Sequence, residues 1–514
     1  MFSKVKSCAV HGVDGRMIDV EADVNDGLPV FTMVGYLSSS VREASERVRT
    51  ALKNSGFHLP PKRITINLSP ADMRKDGSGY DLAIATAVLL SLGVTAELPM
   101  EQTLVLGELS LDGSIKAIPG VLPMVICARE EGMTSCIVPK ENVQEAALVQ
   151  GISVIGVSSL QETMEYIQGI KEYENTNVKQ PAVDTSEYLY DIDFSDVVGQ
   201  ESIKRGMEIA AAGFHNVLLT GAAGAGKSML AKRLPTILPQ MSFEESLEVT
   251  KIYSVGGMLP PEGGLIHRRP FRAPHHTISE YALIGGGRVP TPGEVSFAHY
   301  GVLFLDELPE FSKPVLEVLR QPLEDRRIRI SRVQASYEFP ADFMFVAAMN
   351  PCPCGNYPDY RRCSCTEQQI RRYQSKVSGP LLDRIDIRME VKGVKQEALF
   401  SRQKTESSKT IRARVEQARQ MQKERFAGTG LLFNSQLDGK NLEEYITLSE
   451  EGKRLVLQLF EEQELSVRGV HRVLKLARTI ADLAGSEEIG NAHLQEAAFY
   501  RNQDVFAKEV LYGN

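Results

Sequence analysis

The first 168 residues alternate short strand-like runs of apolar residues with segments whose apolar positions recur every three or four residues. The strand-like runs cover residues 17–24, 63–68, 103–107 and 152–157. Between residues 41 and 52 the apolar positions have the spacing of a helix that buries one face. This pattern predicts an α/β domain over residues 1–175.

After this domain the pattern changes twice. A polar stretch with a proline and no periodicity predicts a linker over residues 176–190. A second alternation of strands and helices predicts an α/β domain over residues 191–395. The remaining segment, 396–514, is strongly helical, which predicts a separate helical lid. The predicted lid helices cover residues 408–427, 449–463, 468–484 and 491–500.

The composition is typical of a globular protein with several domains. The chain has 514 residues, of which 43% are hydrophobic and 24% charged, and these values exclude collagen-like and disordered classes. The longest apolar run, residues 82–94, is shorter than the ~20 residues that cross a membrane. Charge and glycine precede any signal-like run, so we expect a cytoplasmic protein with no membrane partner. The net charge of −8 means that a polyanion would need a local basic patch.

The most specific motif is a strand-like run followed by the loop GAAGAGKS and a helical segment. In this context Gly221, Gly224 and Gly226 allow backbone N–H groups to close around phosphate oxygens. Lys227 supplies a cation to the β and γ phosphates, and Ser228 offers a hydroxyl to Mg²⁺. The motif predicts a P-loop that binds ATP and Mg²⁺.

Two further apolar runs end in polar residues that suit nucleotide hydrolysis. Asp306 and Glu307 follow the first run, where Asp306 would hold Mg²⁺ and Glu307 would act as general base toward water. An acidic helix start after a strand is the alternative. Asn350 follows the second run and would orient the water, although Asn before Pro is also an ordinary turn. The order of these residues after the P-loop favours the catalytic interpretation.

Several longer stretches together carry a family resemblance. They are FSDVVGQE, GAAGAGKS, RPFRAPHHTIS, LIGGG, PGEVSFAHYGVLFLDELPEF, AAMNPCPCG and GPLLDRIDI. Over nearly its whole length the chain resembles the ComM (YifB) family of magnesium-chelatase-like AAA+ ATPases. The resemblance implies three parts: a Lon-protease-like α/β domain of the ribosomal S5 domain 2-like fold, an AAA+ P-loop core, and a helical lid similar to the magnesium-chelatase C-terminal domain.

The resemblance also assigns roles to residues outside the three motifs. It implies that Val198, Gly199 and Gln200 lie beside the adenine of ATP. It implies that Arg384 is the arginine finger presented to a neighbouring subunit, and that Arg468 is the sensor 2 arginine. By residue type alone, an arginine between two aspartates also fits a structural ion pair, and an arginine at a helix start fits a surface charge.

Four of the seven cysteines are concentrated in one loop after Asn350, in a C-x-C…C-x-C pattern. The thiolates of Cys352, Cys354, Cys363 and Cys365 could bind one structural Zn²⁺. The alternative is four reduced thiols in a cytoplasmic loop, because C-x-C is tighter than the usual spacing of zinc ligands.

The stretch RRIRISRVQASYEF alternates basic and apolar residues, which predicts a hairpin that turns near residues 332–335. In the family that the chain resembles, this hairpin projects into the central pore of a ring, where Arg329 and Arg332 would meet DNA phosphates. A solvated charged face is the alternative. His275 and His276 are adjacent and lack a third ligand nearby, so we expect packing or substrate-loop roles for them.

The N-terminal domain resembles a protease domain without its catalytic residues. Aligned on the motif KDG, the nucleophile position falls on Gly79, and Ser78 is one residue out of register. The region after Ile118, where the catalytic lysine is expected, reads PGVLPM. A serine nucleophile needs a general base, so we expect a binding or assembly module without peptidase activity.

The resemblance implies a hexameric ring that hydrolyses ATP and acts on DNA without sequence preference, as a branch-migration helicase in recombination and natural transformation. A magnesium-chelatase-type ATPase that remodels a partner protein is the second hypothesis, and an ATP-dependent protease is the third. The missing catalytic pair disfavours the protease. The arginine-rich hairpin and the N-terminal domain favour the DNA motor over the chelatase-type remodeller.

Overall fold

The structure is a computed structural model that describes residues 1–172, 190–260, 264–332, 335–393, 405–462 and 465–501. The predicted linker lies outside these residues except for Tyr190, and so does the predicted boundary between core and lid. The strands are β1 (Phe2–His11), β2 (Asp14–Asn25), β3 (Val30–Val34), β4 (Arg63–Ser69), β5 (Thr103–Val105), β6 (Glu108–Leu109), β7 (Ile115–Lys116), β8 (Ser135–Pro139), β9 (Ser153–Val157), β10 (Val217–Thr220), β11 (Phe271–Arg272), β12 (Gly285–Gly286), β13 (Thr291–Pro292), β14 (Val302–Leu305), β15 (Arg327–Ser331), β16 (Ser336–Pro340), β17 (Met344–Met349) and β18 (Ile387–Glu390). The helices are α1 (Ser39–Arg42), α2 (Ala44–Asn54), α3 (Asp81–Ser91), α4 (Val121–Glu130), α5 (Val143–Ala146), α6 (Leu160–Ile167), α7 (Glu201–Gly213), α8 (Lys227–Arg233), α9 (Phe243–Val255), α10 (Glu280–Ile284), α11 (Glu294–Phe297), α12 (Lys313–Val318), α13 (Pro322–Asp325), α14 (Glu367–Gln374), α15 (Gly379–Leu382), α16 (Ser408–Arg425), α17 (Gly439–Tyr445), α18 (Glu450–Glu462), α19 (Val467–Leu483) and α20 (Asn491–Arg501).

The N-terminal domain is built on a mixed seven-stranded sheet in the order β3-β4-β2-β1-β5-β8-β9. Alternate residues of the strands face opposite sides, so one side packs against α2 and α3 and the other against α4. All four predicted strand-like runs overlap strands of this sheet. The predicted helix over residues 41–52 is divided into α1 and α2 at Glu43. The mixed α/β class of the chain is confirmed, and the specific likeness to a Lon protease domain stays a prediction.

The second domain is built on a five-stranded parallel sheet in the order β11-β14-β17-β10-β18. All residues of β10, β14 and β17 are buried, as expected for central strands of a parallel sheet that is covered on both faces. Because the strands run parallel, their carboxyl ends meet at one edge. The loops that follow β10, β14 and β17 carry the three predicted nucleotide motifs, so the sheet brings these motifs together.

The C-terminal helices pack on this core. Apolar residues of α16, α19 and α20 form one buried cluster with residues of α7 and β10. The four helices predicted for this segment are confirmed to within a few residues at their ends, while their role as a lid stays a prediction. The structure adds α17, which the sequence pattern did not predict. In the part of the chain that the structure describes, no helix has both the length and the apolar character that crossing a membrane requires.

The arginine-rich segment forms the predicted hairpin. Strands β15 and β16 pair antiparallel with each other, and the last pair before the turn is Ser331 with Ser336. They form a two-stranded sheet of their own, separate from the parallel sheet. We call β15 and β16 the arginine hairpin below.

Candidate active site

The glycine-rich loop between β10 and α8 has a backbone that suits glycine. Gly224 and Gly226 have φ of +77° and +94°, in the left-handed region. A Cβ atom on Gly221 would lie 2.2 Å from the carbonyl oxygen of Val391, so a larger residue does not fit without movement. The loop lines a cavity of about 320 Å³ together with the residues that follow β14 and β17. A glycine-rich loop of this kind can direct backbone N–H groups at phosphate oxygens.

Ser228 and Asp306 join the loop to the end of β14. The hydroxyl of Ser228 donates a hydrogen bond to Oδ2 of Asp306 at 2.6 Å. A hydroxyl beside a carboxylate is a ligand set that suits Mg²⁺. Glu307 follows with φ of +53°, a left-handed conformation that is uncommon outside glycine. Such strain often marks a functional position, and Glu307 lines the same cavity.

Lys227 joins the loop to the end of β17. Its Nζ donates hydrogen bonds to two carbonyl oxygens of the loop at 2.6 and 2.9 Å, and to Oδ1 of Asn350 at 3.0 Å. Burial lowers the pKa of Lys227, and the nearby carboxylates of Asp306 and Glu307 oppose that shift. The structure therefore brings together the predicted P-loop cation, the two acidic residues and the amide that would orient water.

Gln200 also contacts the P-loop. Its Nε2 donates to the carbonyl oxygen of Ala225 at 3.1 Å and to that of Lys392 at 3.2 Å. Val198 and Gly199 are the two preceding residues, and Gly199 has φ of +67°. The structure thus places this turn at the P-loop, while the assignment of the three residues to adenine stays a prediction.

Arg384 and Arg468 lie elsewhere. Neither lines the cavity of the P-loop, and both line a second cavity between the core and α19. The guanidinium of Arg384 donates to the carbonyl oxygen of Pro380 at 2.7 Å and forms an ion pair with Glu324. The two predicted arginines therefore line one cavity, which is separate from the P-loop of their own chain.

Asn216 connects this surface to the parallel sheet, and no motif in the sequence pointed to it. Its side chain donates to the carbonyl oxygen of Arg384 at 2.9 Å and accepts from the N–H of Phe345 in β17 at 2.9 Å. Its own N–H donates to Asp386 at 3.0 Å. Although burial opposes the shift, Arg472 holds the pKa of Asp386 well below its usual range. Because the partners of Asn216 are far from it along the chain, no local sequence pattern indicates these contacts.

The four loop cysteines converge. Their ligand atoms all lie within 4.8 Å of one another, and three of the Sγ–Sγ separations are 3.4, 3.5 and 3.7 Å. Zn–S bonds of ~2.3 Å in a tetrahedron place sulfur atoms roughly 3.8 Å apart, so the cluster fits Zn²⁺. A hydrogen bond from the N–H of Asn356 lowers the pKa of Cys354 to about 6. The cluster consists of Cys352, Cys354, Cys363 and Cys365.

This cysteine loop lies beside the P-loop and Asn350. A Cβ atom on Gly355 would lie 3.4 Å from the backbone nitrogen of Ala223 in the P-loop and 3.8 Å from Cγ of Asn350. Cys352 is fully buried and is only two residues from Asn350. Any metal held here would therefore stabilise the segment that carries Asn350.

The arginine hairpin presents part of its charge to solvent. Arg327 and Arg329 both pair with Glu338 on the opposite strand, at 2.9 and 3.0 Å. Arg332, at the turn, donates to the carbonyl oxygen of Gly287 at 2.9 Å. All three arginines are exposed. Glu338, which no sequence motif marked, is the carboxylate partner of two of them.

The residues considered for other chemistry, His275, His276, Ser78 and Gly79, have well-defined neighbours. The rings of His275 and His276 lie 4.0 Å apart, and His276 packs edge-on against Phe311. Ser78 donates to the carboxylate of Glu108, which is not the lysine or histidine that a serine nucleophile needs. A Cβ atom at Gly79 would meet Ile118 at 3.1 Å. Ser78 therefore has an acidic partner and Gly79 an apolar neighbour, and the absence of peptidase activity stays a prediction.

Profiles of known families match the chain in three segments. The one described as magnesium chelatase, subunit ChlI, matches residues 193–399. Subunit ChlI of Mg-chelatase matches residues 20–142, and the magnesium chelatase subunit ChlI C-terminal profile matches residues 405–501. Because the N-terminal profile also bears the name of a chelatase subunit, the N-terminal domain alone does not separate the DNA motor from the chelatase-type alternative.

Similar proteins match over almost the full length. An uncharacterised protein of Mycobacterium tuberculosis is 42% identical over 496 residues, which are 96% of this chain and 97% of the relative. The competence protein ComM of Haemophilus influenzae is 41% identical over 503 residues, 97% of each chain. The uncharacterised protein YifB of Escherichia coli is 40% identical over 506 residues, 98% of this chain and 97% of the relative.

Proposed function

Because the chain belongs to the ComM (YifB) family of magnesium-chelatase-like AAA+ ATPases, we propose that it is a ring-forming ATPase that moves branched DNA. In this proposal the ring is a hexamer that surrounds the DNA, and ATP hydrolysis drives branch migration during recombination, including recombination of DNA taken up in natural transformation. Of the three relatives described above, one has a name that states a function, the competence protein ComM, and its match covers 97% of both chains.

The observation that carries the ATPase part is the joining of three motifs in one cavity, through the contact of Ser228 with Asp306 and that of Lys227 with Asn350. The P-loop backbone and Lys227 would hold the β and γ phosphates. Ser228 and Asp306 would hold Mg²⁺, which neutralises phosphate charge when it is bound. Glu307 would accept a proton from the attacking water, and Asn350 would orient that water.

Arg384 and Arg468 would complete the site of a neighbouring subunit. The support is their position: both line a cavity that does not include the P-loop of their own chain. An arginine on such a surface can reach ATP only across an interface between subunits. Glu324 would hold the Arg384 side chain until the phosphates of the neighbour replace it as partner.

The arginine hairpin would contact DNA. Arginine binds phosphate oxygens without reading bases, so the expected binding is independent of sequence and sensitive to salt. The support is the exposure of Arg329 and Arg332 on a hairpin that extends from the segment before β17. Strand displacement on a forked or three-stranded DNA, with Glu307→Gln as the hydrolysis control, tests the proposal.

The magnesium-chelatase-type alternative has one specific support: all three matching profiles are named for a chelatase subunit. In that case the ring would act on a partner protein. ATPase stimulation separates the two functions, because the DNA motor responds to branched DNA and the chelatase-type remodeller responds to the partner. An ATPase rate that branched DNA leaves unchanged would favour the alternative.

We also propose that Cys352, Cys354, Cys363 and Cys365 hold one structural Zn²⁺. The support is the convergence of four thiols within 4.8 Å in a loop that packs on the P-loop. With four sulfur ligands no position is left for water, so the metal would stabilise the loop and take no part in hydrolysis.

A further inference from the structure

The N-terminal domain contacts the arginine hairpin through the turn between β1 and β2. The ring of His11 stacks on that of Tyr337, with centroids 4.5 Å apart and an angle of 21° between the planes. Gly12 packs against the backbone of Glu338, the next residue of the hairpin. A Cβ atom on Gly12 would lie 2.9 Å from the carbonyl oxygen of Glu338. Three consecutive residues, His11 at the end of β1 and the two residues of the turn, thus lie against three consecutive residues of β16, 337–339.

The contact of Val13 with the hairpin is apolar and also involves the AAA+ core. Val13 forms a small buried cluster with Phe339 of the hairpin and with Ile252 and Phe297 of the core. Phe339 and Ile252 are fully buried. The inner face of the hairpin is therefore enclosed between the N-terminal domain and the core, while the side chains of Arg327 and Arg329 remain exposed.

The same helix of the core that supplies Ile252 also holds the N-terminal domain in place. In α9, Lys251 pairs with Asp14 at 2.9 Å. The carbonyl oxygen of Ser254 accepts from the N–H of Gly120 at 3.0 Å, and the hydroxyl of Ser254 donates to the buried Glu145. These contacts fix the N-terminal domain to the core close to residues 11–13, which pack against the hairpin.

A support of this kind matters because the hairpin has only two strands. Isolated two-stranded hairpins are marginally stable in water, and the described residues of β15 and β16 pair only with each other. Burying Phe339 and stacking Tyr337 supply the tertiary contacts that such a hairpin lacks. Without them, exposed arginines would sit on a strand pair that frays, and their positions relative to DNA would vary.

We propose that the N-terminal domain acts as the support that positions the arginine hairpin for DNA, with His11 and Gly12 as positioning residues. This inference rests on the proposed contact of the hairpin with DNA. It gives the N-terminal domain a role that requires no peptidase chemistry. It also predicts that a substitution in the N-terminal domain, far along the chain from any arginine of the hairpin, alters the response to DNA.

The test uses the full-length chain with Gly12→Ala and a matched control, Gly56→Ala. Both glycines lie in the N-terminal domain with left-handed φ, +68° and +84°, so alanine strains the backbone in both. Only at Gly12 does the added carbon meet the hairpin, because Gly56 has no atom within 4 Å of the corresponding position. Amide hydrogen exchange over residues 336–340 measures how firmly the hairpin is anchored. The ratio of ATPase rates with and without branched DNA measures the response of the protein to DNA.

We expect exchange over 336–340 to be about tenfold faster in Gly12→Ala than in Gly56→Ala, a decrease of ~1.4 kcal/mol in local stability. We expect the DNA stimulation ratio to fall toward one in Gly12→Ala only, with the DNA-free rate unchanged in both variants. Tyr337→Ala should show the same faster exchange and the same loss of DNA stimulation. Tyr337→Phe keeps the stacked ring, so this variant should behave like the wild type.

Equal exchange in Gly12→Ala and Gly56→Ala would overturn the anchoring. Faster exchange with an undiminished DNA response would overturn the positioning role. If the wild type itself showed no response to DNA, the proposed DNA function would fail, while the exchange measurement would still decide whether the N-terminal domain anchors the hairpin.

Discussion

The Nζ of Lys227 and Oδ1 of Asn350 are joined by a 3.0 Å hydrogen bond between the P-loop and the end of β17. The two residues are 123 positions apart in the chain. Neighbouring parallel strands bring them together, because β10 and β17 pair directly. The residue expected to hold phosphate and the residue expected to orient water are therefore in direct contact.

The first prediction separates binding from hydrolysis. Glu307→Gln should slow hydrolysis by roughly 10²-fold or more, because it removes the general base, while ATP affinity stays within a few-fold of wild type. Lys227→Ala should instead weaken ATP binding, because it removes the phosphate cation. Titration with a fluorescent ATP analogue and steady-state ATPase rates measure the two effects. Normal turnover by Glu307→Gln would contradict the assignment.

The second prediction concerns Arg384 as a residue that acts on the neighbouring subunit. Arg384→Ala should reduce the ATPase rate by roughly 10³-fold, the typical contribution of an arginine finger. Mixing Arg384→Ala chains with Glu307→Gln chains should recover part of the activity, since some interfaces then combine an intact finger with an intact base. Mixed rings that stay inactive at every ratio would argue against a role across the interface.

The nucleotide motifs were predictable from the sequence because each lies at the end of an apolar strand, and parallel strands place such ends at one edge. The pairing of Arg384 with Glu324, which are 60 residues apart, was not predictable, and neither was the role of Asn216 between β17 and the Arg384 loop. These contacts depend on how loops pack, and no local periodicity encodes them. The contact of His11 with Tyr337 is of the same kind.

The third prediction concerns the cysteine cluster. Purified protein should contain one Zn²⁺ per chain, and Cys352→Ala with Cys363→Ala should abolish zinc binding and lower the thermal midpoint. Because the loop packs on Asn350 and Ala223, the ATPase rate should fall as well. Cys127→Ala is the control, since Cys127 lies outside the cluster. A zinc content near zero in protein prepared without chelators would instead indicate four free thiols.

The fourth prediction uses the carboxylate that pairs with the hairpin arginines. Glu338→Gln should tighten DNA binding by about two- to fivefold, because exposed ion pairs are worth roughly 0.2–1 kcal/mol and Arg327 and Arg329 no longer share their charge with it. Affinity measured at low salt should show the gain most clearly. Weaker binding by Glu338→Gln would indicate that this carboxylate orients the arginines and does not compete with DNA.

The fifth prediction concerns the arginines themselves. Arg329→Ala with Arg332→Ala should weaken binding to many DNA sequences alike. It should also lower the slope of log affinity against log salt, by roughly 0.9 for each duplex phosphate that the variant no longer neutralises. The ratio of ATPase rates with and without DNA should fall to one. An unchanged salt slope would place the DNA-binding residues elsewhere on the ring.

The central claim is tested most directly by ATP-dependent strand displacement on a three-stranded branched DNA, measured for the wild type and for Glu307→Gln. We expect the wild type to displace the strand only with hydrolysable ATP, on branches of unrelated sequence, and the Glu307→Gln protein to bind the DNA without displacing it. A wild-type protein that hydrolyses ATP yet displaces no strand, and whose rate no branched DNA changes, would contradict the DNA motor.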